Sequence, residues 1–179
     1  MTELLTGPPP GEVIAAMAAI PGLAIAPGVL VTQQGPDGSL GPEGAGAVLL
    51  LQATFTDPDR AAGFWAAAVP LMALLAEAPG FIRRFTFMDG PSITLIALWR
   101  SIDDARSFQR SPEHRAAVDG LYRERWQYTH FSALWELASS HDRIVFCDTC
   151  DAVTPMREQV CRGCGVALVD PYLATTSAP

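Results

Sequence analysis

The chain has 179 residues and no lysine, so all twelve of its basic residues are arginine. The absence of lysine excludes enzymes that work through a lysine Schiff base. The formal net charge is -7. Binding to the phosphate backbone of duplex nucleic acid needs a basic surface, and so does binding to an anionic membrane. We therefore expect neither nucleic acid nor a membrane as a partner.

Targeting and membrane-spanning patterns are also absent. Residues 1–13 have no basic region ahead of an apolar run, as a secretory signal requires. No stretch reaches the roughly 18 unbroken apolar residues of a membrane span. Residues 64–76 are very apolar, but Pro70 interrupts them and Pro79-Gly80 ends them, which predicts a buried helix. We expect a cytoplasmic protein, whose reduced cysteines favour metal binding over disulfides.

All four cysteines lie near the C-terminus. Cys147 and Cys150 form one CxxC pair, and Cys161 and Cys164 form a second pair after ten intervening residues. Each CxxC turn directs two sulfurs toward one point, so two turns complete a tetrahedral thiolate shell. The spacing resembles a small zinc ribbon, although Asp151 stands where the first pair usually has glycine. It predicts a structural Zn²⁺ site, with a single iron as the alternative for four thiolates.

Residues 46–138 predict a regular succession of elements. Asp57-Pro58, Ser101 and Ser111-Pro112 are typical helix starts, and Asp89-Gly90 indicates a hairpin. The pattern predicts strands at 47–56, 81–88, 92–99 and 128–137, and helices at 58–78 and 101–126. The order β-α-β-β-α-β predicts an α+β fold, a ferredoxin-like sandwich with both helices on one face of a four-stranded sheet.

The other face of this predicted sheet has no helix to cover it. Its strands are apolar on both faces, so we expect two copies to pack sheet on sheet as a homodimer. Outside the sheet the chain divides into an N-terminal extension and loop (1–45), a linker (139–146), the zinc ribbon (147–166) and a C-terminal tail (167–179). A short helix at 12–20 and a strand at 29–32 are predicted in the extension. The pattern leaves open whether residues 11–40 add a strand or a lid.

Several residues in this domain together match a known family pattern. They are Trp99-Arg100-Ser101, Phe108, the run Ser111-Pro112-Glu113-His114, Trp126, and the final strand from His130 to Trp135. In these residues the segment from about 47 to 138 resembles the dimeric α/β-barrel superfamily, specifically its antibiotic biosynthesis monooxygenase-like and spheroidene monooxygenase-like members. The resemblance implies a barrel made by two copies. It also implies monooxygenase-type activity on a small apolar or aromatic molecule in the lumen, with or without haem.

The last strand supplies the candidate catalytic bases. His130 and Tyr128 alternate with the apolar residues Phe131 and Trp135. The apolar side should meet the helices, so His130 and Tyr128 are expected to face the lumen. Without a cofactor, the substrate would lose a proton to one of these bases and then reduce O₂ itself. The alternative for His130 is a packed core histidine.

Two adjacent arginines, Arg83 and Arg84, point to opposite faces of their strand, so one must face the interior or a dimer interface. We select Arg83 as the catalytic candidate, steadying a substrate anion. Pairing with a protein acid such as Glu136 is the alternative.

His114 is the candidate cofactor ligand. It follows the Ser111 cap by three residues, so it should lie in the first helical turn, where the helix dipole disfavours imidazolium. A neutral ring there suits haem iron, and axial ligation is the role that the resemblance implies. The alternative is that His114 helps to cap the helix or faces solvent.

Two classes of function remain open. The first is an oxygenase-type enzyme with a small-molecule substrate. The second is a non-enzymatic sensor or assembly protein, in which the ribbon docks a protein partner. A third possibility is that the ribbon only stabilises the dimer.

Overall fold

The computed structural model describes residues 11–20, 23–25 and 30–169. Residues 1–10 of the predicted N-terminal extension and most of the predicted tail lie outside these residues. The chain divides into two compact units, Met1–Leu137 and Ala138–Pro179. The first unit contains, in chain order, α1 (Gly11–Ala18), β1 (Leu23–Ile25), β2 (Leu30–Gln34), β3 (Ala47–Thr54), α2 (Pro58–Glu77), β4 (Phe81–Asp89), β5 (Ser92–Trp99), α3 (Ile102–Gln109), α4 (Pro112–Glu124) and β6 (Thr129–Glu136).

The strands of the first unit form one antiparallel sheet in the order β1-β2-β4-β5-β3-β6. Strands β3 to β6, with α2 and the α3–α4 pair, have the βαββαβ order and the strand arrangement of a ferredoxin-like fold. The predicted fold class is therefore confirmed. Strand β2 extends the sheet beside β4, which answers the question about residues 11–40: they add strands to the sheet.

The helix starts lie where the capping residues predict them. The side chain of Asp57 accepts a hydrogen bond from the backbone N–H of Asp59 (2.9 Å), and Pro58 takes the first helical position. Ser101 caps α3 in the same way (3.1 Å), and Ser111 caps α4 (3.2 Å). The helix start predicted at Ser111-Pro112 is therefore confirmed, and it divides the predicted helix at 101–126 into α3 and α4.

Helix α2 is the one described helix that is long and apolar enough, by length and composition, to cross a membrane. In the structure its Trp65 and Met72 are buried against Ala53 and Ile93 of the sheet. Leu75 is the third buried residue of this helix, and only 17% of its apolar stretch is buried, so α2 packs on one side and is not the buried helix that was predicted.

The register of β6 decides which of its residues lie beneath the helices. His130 pairs with Ala53 of β3, a buried residue that faces the helices. His130 therefore shares that face, and Phe131 and Trp135 lie on the open face, 50% and 49% exposed. The prediction that Phe131 and Trp135 meet the helices is wrong. Both faces of the sheet are apolar, so hydrophobicity alone does not identify the covered one.

A register shift near the start of β4 sets the orientation of the two arginines. Between Phe81 and Arg83 one residue is added relative to β5. As a result Phe81 and Arg84 both lie beneath the helices, opposite Trp99 and Ala97.

The second unit contains a two-stranded antiparallel sheet of β7 (Ile144–Phe146) and β8 (Val153–Pro155). Strand β7 falls in the predicted linker, so the ribbon begins earlier than its first cysteine. An isolated antiparallel bridge between Val160 and Ala167 closes a second hairpin around the other CxxC pair.

Trp126 packs against two glycines, one on α2 and one on α4. A Cβ atom added to Gly63 would lie 2.8 Å from the Trp126 Nε1 atom, and one added to Gly120 would lie 2.6 Å from the Trp126 ring. The bare glycine backbones therefore make the space that the indole fills.

We expect Gly120→Ala to lower the melting temperature. In an open helix the change would stabilise by about 1 kcal/mol through helix propensity, whereas overpacking a tight contact costs about 1–3 kcal/mol. Differential scanning calorimetry measures the net effect, with Asp119→Ala at the adjacent exposed position as the control. Adding Trp126→Phe should recover part of the loss. A Gly120→Ala protein at least as stable as the wild type would show that the contact is not tight.

Candidate functional site

A cavity of about 240 Å³ lies between the sheet and the helices of the first unit. Its wall is mainly apolar, and few polar side chains reach it. The apolar wall includes Leu49, Leu51, Leu95, Ala97 and Trp99 from the sheet, and Phe64, Leu71, Phe108, Val118, Leu121 and Trp126 from the helices and their connections. An apolar cavity with a few convergent polar groups is the usual form of a small-molecule site.

His130 is an exposed residue of β6, and its side chain is among those that line this cavity. Its Nδ1 atom lies 2.7 Å from the Oε1 atom of Gln127. An amide oxygen only accepts hydrogen bonds, so this contact favours the tautomer with the proton on Nδ1 and a free lone pair on Nε2. Burial lowers the pKa of His130 below its ordinary value of 6.5. The lowered pKa favours the neutral ring at pH 7, and Gln127 favours the tautomer in which Nε2 can accept a proton.

The structure separates the two predicted bases. Tyr128 is 74% exposed and is not among the residues that line the cavity. It precedes the first residue of β6, and only its backbone N–H joins the sheet, donating to the carbonyl of Thr54 (2.8 Å). The alternation that places His130 inside does not extend to Tyr128. Gln127, in contrast, reaches the cavity and was not predicted, because no periodicity identifies a loop side chain.

His114 lines the same cavity from the first turn of α4. Its backbone N–H donates to the Ser111 hydroxyl, and its ring meets the Phe108 ring edge-on, with centroids 5.3 Å apart. Burial lowers the pKa of His114, and a hydrogen bond to the Gln109 backbone partly offsets that effect. His114 thus lies in the first helical turn as predicted, and burial is the main cause of its lowered pKa.

Arg84, and not the selected Arg83, is the arginine that lines the cavity. The Arg84 side chain is buried, and desolvation lowers its pKa to about 10, so it remains charged at pH 7. Arg83 lies on the open side of the strand, where its Nη2 atom donates to Gln34 Oε1 (3.1 Å). Alternation along β4 placed the two arginines on opposite faces correctly, but the register shift at the strand's start decides which face is covered.

The cavity does not fit a haem. Sites for drug-sized ligands hold roughly 300–1,000 Å³, and a haem is larger than most of those ligands, whereas this cavity is about 240 Å³. Two propionates would also need cationic partners, and Arg84 is the one arginine among the residues that line it. His114 therefore has no haem to ligate in this cavity.

The second site is the cluster of four cysteine sulfurs in the second unit. The Sγ atoms of Cys147 and Cys164 are 3.7 Å apart, those of Cys150 and Cys161 are 3.6 Å apart, and all four lie within 4.8 Å of one another. A tetrahedron with metal–sulfur bonds of about 2.3 Å has sulfur–sulfur edges of about 3.8 Å. The four side chains therefore fit one tetrahedral metal ion.

The two CxxC turns have matching backbone hydrogen bonds. Cys147 N–H donates to the Ala152 carbonyl (3.0 Å), and Cys161 N–H donates to the Val166 carbonyl (2.8 Å). The residue after each second cysteine is in the left-handed region: Asp151 with φ 55° and Gly165 with φ 74°. Aspartate tolerates that region better than most residues, which explains how the first turn works without glycine.

The backbone also favours a thiolate at Cys161. Hydrogen bonds from the backbone of Cys164 and of Gly163 lower the pKa of Cys161 to about 6. Gly163 is close enough to the cluster that a Cβ atom there would lie 2.8 Å from the Cys150 sulfur. The turn therefore requires glycine at this point, and its N–H groups prepare the sulfur for a metal.

No protein-family model matches the chain, and no curated protein matches it. Solved structures similar to it include proteins described as antibiotic biosynthesis monooxygenases. A candidate protein of that kind from Deinococcus radiodurans is 11% identical, with 54% of this chain and 97% of that chain covered and a TM-score of 0.47. A variant of SnoaB, a cofactor-independent oxygenase from Streptomyces nogalater, is 22% identical, with 54% and 97% covered and a TM-score of 0.43. A candidate monooxygenase from Lactobacillus acidophilus is 14% identical, with 59% and 47% covered and a TM-score of 0.45. At these identities and TM-scores, the fold assignment rests on the strand order of this chain.

Proposed function

We propose that the first unit is a cofactor-free monooxygenase-type enzyme that acts on a small apolar or aromatic molecule in its cavity. The observation that carries the proposal is the His130–Gln127 pair: a neutral imidazole, hydrogen-bonded so that Nε2 is favoured as the free nitrogen, at a mainly apolar cavity. General-base catalysis of proton abstraction from carbon or a phenol is most efficient when the pKa of the base is near the working pH, so that the base is unprotonated and still basic.

The reaction that fits this base starts with an acidic C–H bond beside carbonyl or aromatic groups. His130 Nε2 takes the proton, and the carbanion, delocalised over the substrate, gives electrons to O₂ and forms a carbon-bound hydroperoxide. Loss of water from the hydroperoxide leaves a carbonyl group. A methylene group and O₂ are thus converted into a carbonyl group and water, and the substrate supplies all the electrons.

We propose zinc as the ion of the four-cysteine cluster, with a structural role. Four thiolates satisfy tetrahedral Zn²⁺ completely and leave no open position for a substrate or water. Iron would fit the same ligands and remains the alternative outcome of a metal analysis.

We also propose that the first unit forms a homodimer through the open face of its sheet. This face carries large apolar side chains, among them Phe87, Phe131 and Trp135, which are 45%, 50% and 49% exposed. Exposed apolar clusters of this kind usually mark an interface. A second copy would bring the same face, and two-fold symmetry makes such a face self-complementary.

A second candidate function is a ligand-binding protein that docks a protein partner through its ribbon. Ile144, Phe146 and Val153 favour it, because these apolar side chains of the β7–β8 hairpin are 54%, 66% and 48% exposed. Phe146 and Val153 are opposite each other in register, so the three form one patch. Ligand binding without O₂ consumption, together with partner capture that Phe146→Ser abolishes, would favour this function over the enzyme.

We expect His130→Asn to lower the rate of O₂ consumption by about 10²–10⁴-fold, the usual contribution of a general base. An oxygen electrode with a panel of two-ring naphthols and 1,3-diketones measures the rate against the uncatalysed reaction. His114→Asn is the matched control, because it alters the other cavity histidine. The wild-type rate should fall as the pH drops through the lowered pKa of His130, below 6.5, since only the neutral ring accepts a proton. A His130→Asn protein with the wild-type rate would eliminate this mechanism.

Metal analysis of freshly purified, unchelated protein should find one zinc ion per chain. Cys161→Ser should lose the metal and make the second unit susceptible to proteolysis, because its fold depends on the ion. Thr149→Ala, an exposed change inside the first CxxC turn, should keep the metal. Native mass spectrometry distinguishes these forms. Stoichiometric iron would replace zinc in the proposal, and a metal-free protein with bridged thiols would refute the site.

Trp135→Glu should convert a dimer into a folded monomer, because it places a charge within the apolar open face. Sedimentation equilibrium measures the mass, and circular dichroism checks the fold. Ala73→Glu is the control, since Ala73 is exposed on α2, in the helix layer. A wild-type protein that is monomeric at micromolar concentration would contradict the dimer.

A further inference from the structure

The cavity has hydrogen-bond donors that lack acceptors. Four buried nitrogen atoms on its lining residues have no partner among the described residues: Arg84 Nε, Arg84 Nη2, Trp99 Nε1 and Gln127 Nε2. All four are donors. Buried donors are nearly always paired, so an acceptor supplied from outside the chain is the simplest way to satisfy them.

The same cavity contains a cation without an anion. No aspartate or glutamate is among its lining residues, and no ion pair of Arg84 is found in the part of the chain that the structure describes. Burying an unpaired charge is costly, and its usual remedy is a counter-ion in direct contact. The charge is retained at pH 7, because the lowered pKa of Arg84 is still about 10.

Arg84 and the proposed base His130 lie far apart on the side of the cavity that the sheet forms. Strands β5 and β3 lie between their strands, β4 and β6. The backbones of β4 and β6 are therefore three strand spacings apart, or about 14 Å. Arg84 is in the row of Ala97 and Leu49, whereas His130 is in the row of Ala53, four residues along β3 from Leu49, or about 13 Å. The arginine is therefore too far from His130 to hold the carbon or oxygen that loses its proton.

Trp99 lies next to Arg84. The partner of Arg84 on β5 is Ala97, and Trp99 is two residues further along the same face, which makes Arg84 and Trp99 diagonal neighbours. An acceptor group between them can receive N–H bonds from the guanidinium and from the indole. A carboxylate has two oxygens for this purpose, and arginine binds carboxylates with paired N–H groups.

We propose that the ligand of this cavity is a carboxylate-bearing apolar or aromatic molecule, its carboxylate bound by Arg84 and Trp99 and its body lying toward His130. The recognition of the carboxylate stands on the unpaired donors alone. The assignment of the molecule as a substrate rests on the proposed oxygenase function.

Binding of matched acids and amides tests the proposal without turnover. The probes are 2-naphthoate and 2-naphthamide, with benzoate and benzamide as a smaller pair, measured by isothermal titration calorimetry under nitrogen. The wild-type protein should bind each acid at least about tenfold more tightly than its amide, the effect of a hydrogen bond to a charged group. Arg84→Met should abolish this preference, and Arg83→Met, a neighbouring charge on the other face, should retain it.

Thermal stability separates a ligand-binding arginine from a structural one. Arg84→Met removes a buried charge that has no partner and keeps most of the side-chain volume, so the melting temperature should stay the same or rise. A fall of several degrees would show a structural role and overturn the proposal, as would equal binding of acids and amides or binding of neither acid. Acid selectivity without O₂ consumption would refute only the oxygenase function. O₂ consumption without acid selectivity would refute only the carboxylate site.

Discussion

The pairing of β6 with β3 is the constraint on which the rest of the first unit depends. Placing His130 opposite Ala53 puts the imidazole beneath the helices and, by alternation, leaves Phe131 and Trp135 on the uncovered face. A shift of one residue would exchange these sets, moving the base to the open face of the sheet and two large apolar side chains to the face that the helices cover. The same register thus creates the candidate site and the candidate dimer interface.

Burial has different consequences for the charges of His130 and Arg84, which lie at opposite parts of the cavity. It lowers the pKa of both His130 and Arg84. Histidine starts at 6.5, so lowering its pKa leaves it neutral and able to accept a proton at pH 7. Arginine starts at 12.5, so a pKa of about 10 leaves it charged and in need of an anion. One physical cause therefore gives the cavity a base and a cation, each with a separate task.

Local rules predicted the parts of the fold that local sequence determines. The caps at Asp57, Ser101 and Ser111 placed the helix starts, and alternation along β4 put Arg83 and Arg84 on opposite faces. These rules contain no information about which face of a two-sided apolar sheet receives the helices, or about the register shift near Phe81. The predicted orientation of β6 and the choice of Arg83 over Arg84 were therefore wrong. The partners of His130 and Arg84 depend on tertiary packing, so no sequence period could reveal Gln127 or the unpaired donors.

The stability of the second unit is expected to depend on its cysteines, because the unit is short and buries few apolar side chains. It spans Ala138–Pro179, which is 179 − 138 + 1 = 42 residues, close to the length of about 40 below which a hydrophobic core rarely suffices. Among its described residues the buried ones are Cys147, Thr154, Met156 and Cys161, while the apolar side chains of β7 and β8 are largely exposed. Two of the four buried residues are thus proposed ligands, and a single methionine is the main apolar filling. With the proposed ion bound, a unit built in this way would obtain much of its stability from the metal, and a closed, non-catalytic shell of four thiolates suits that role.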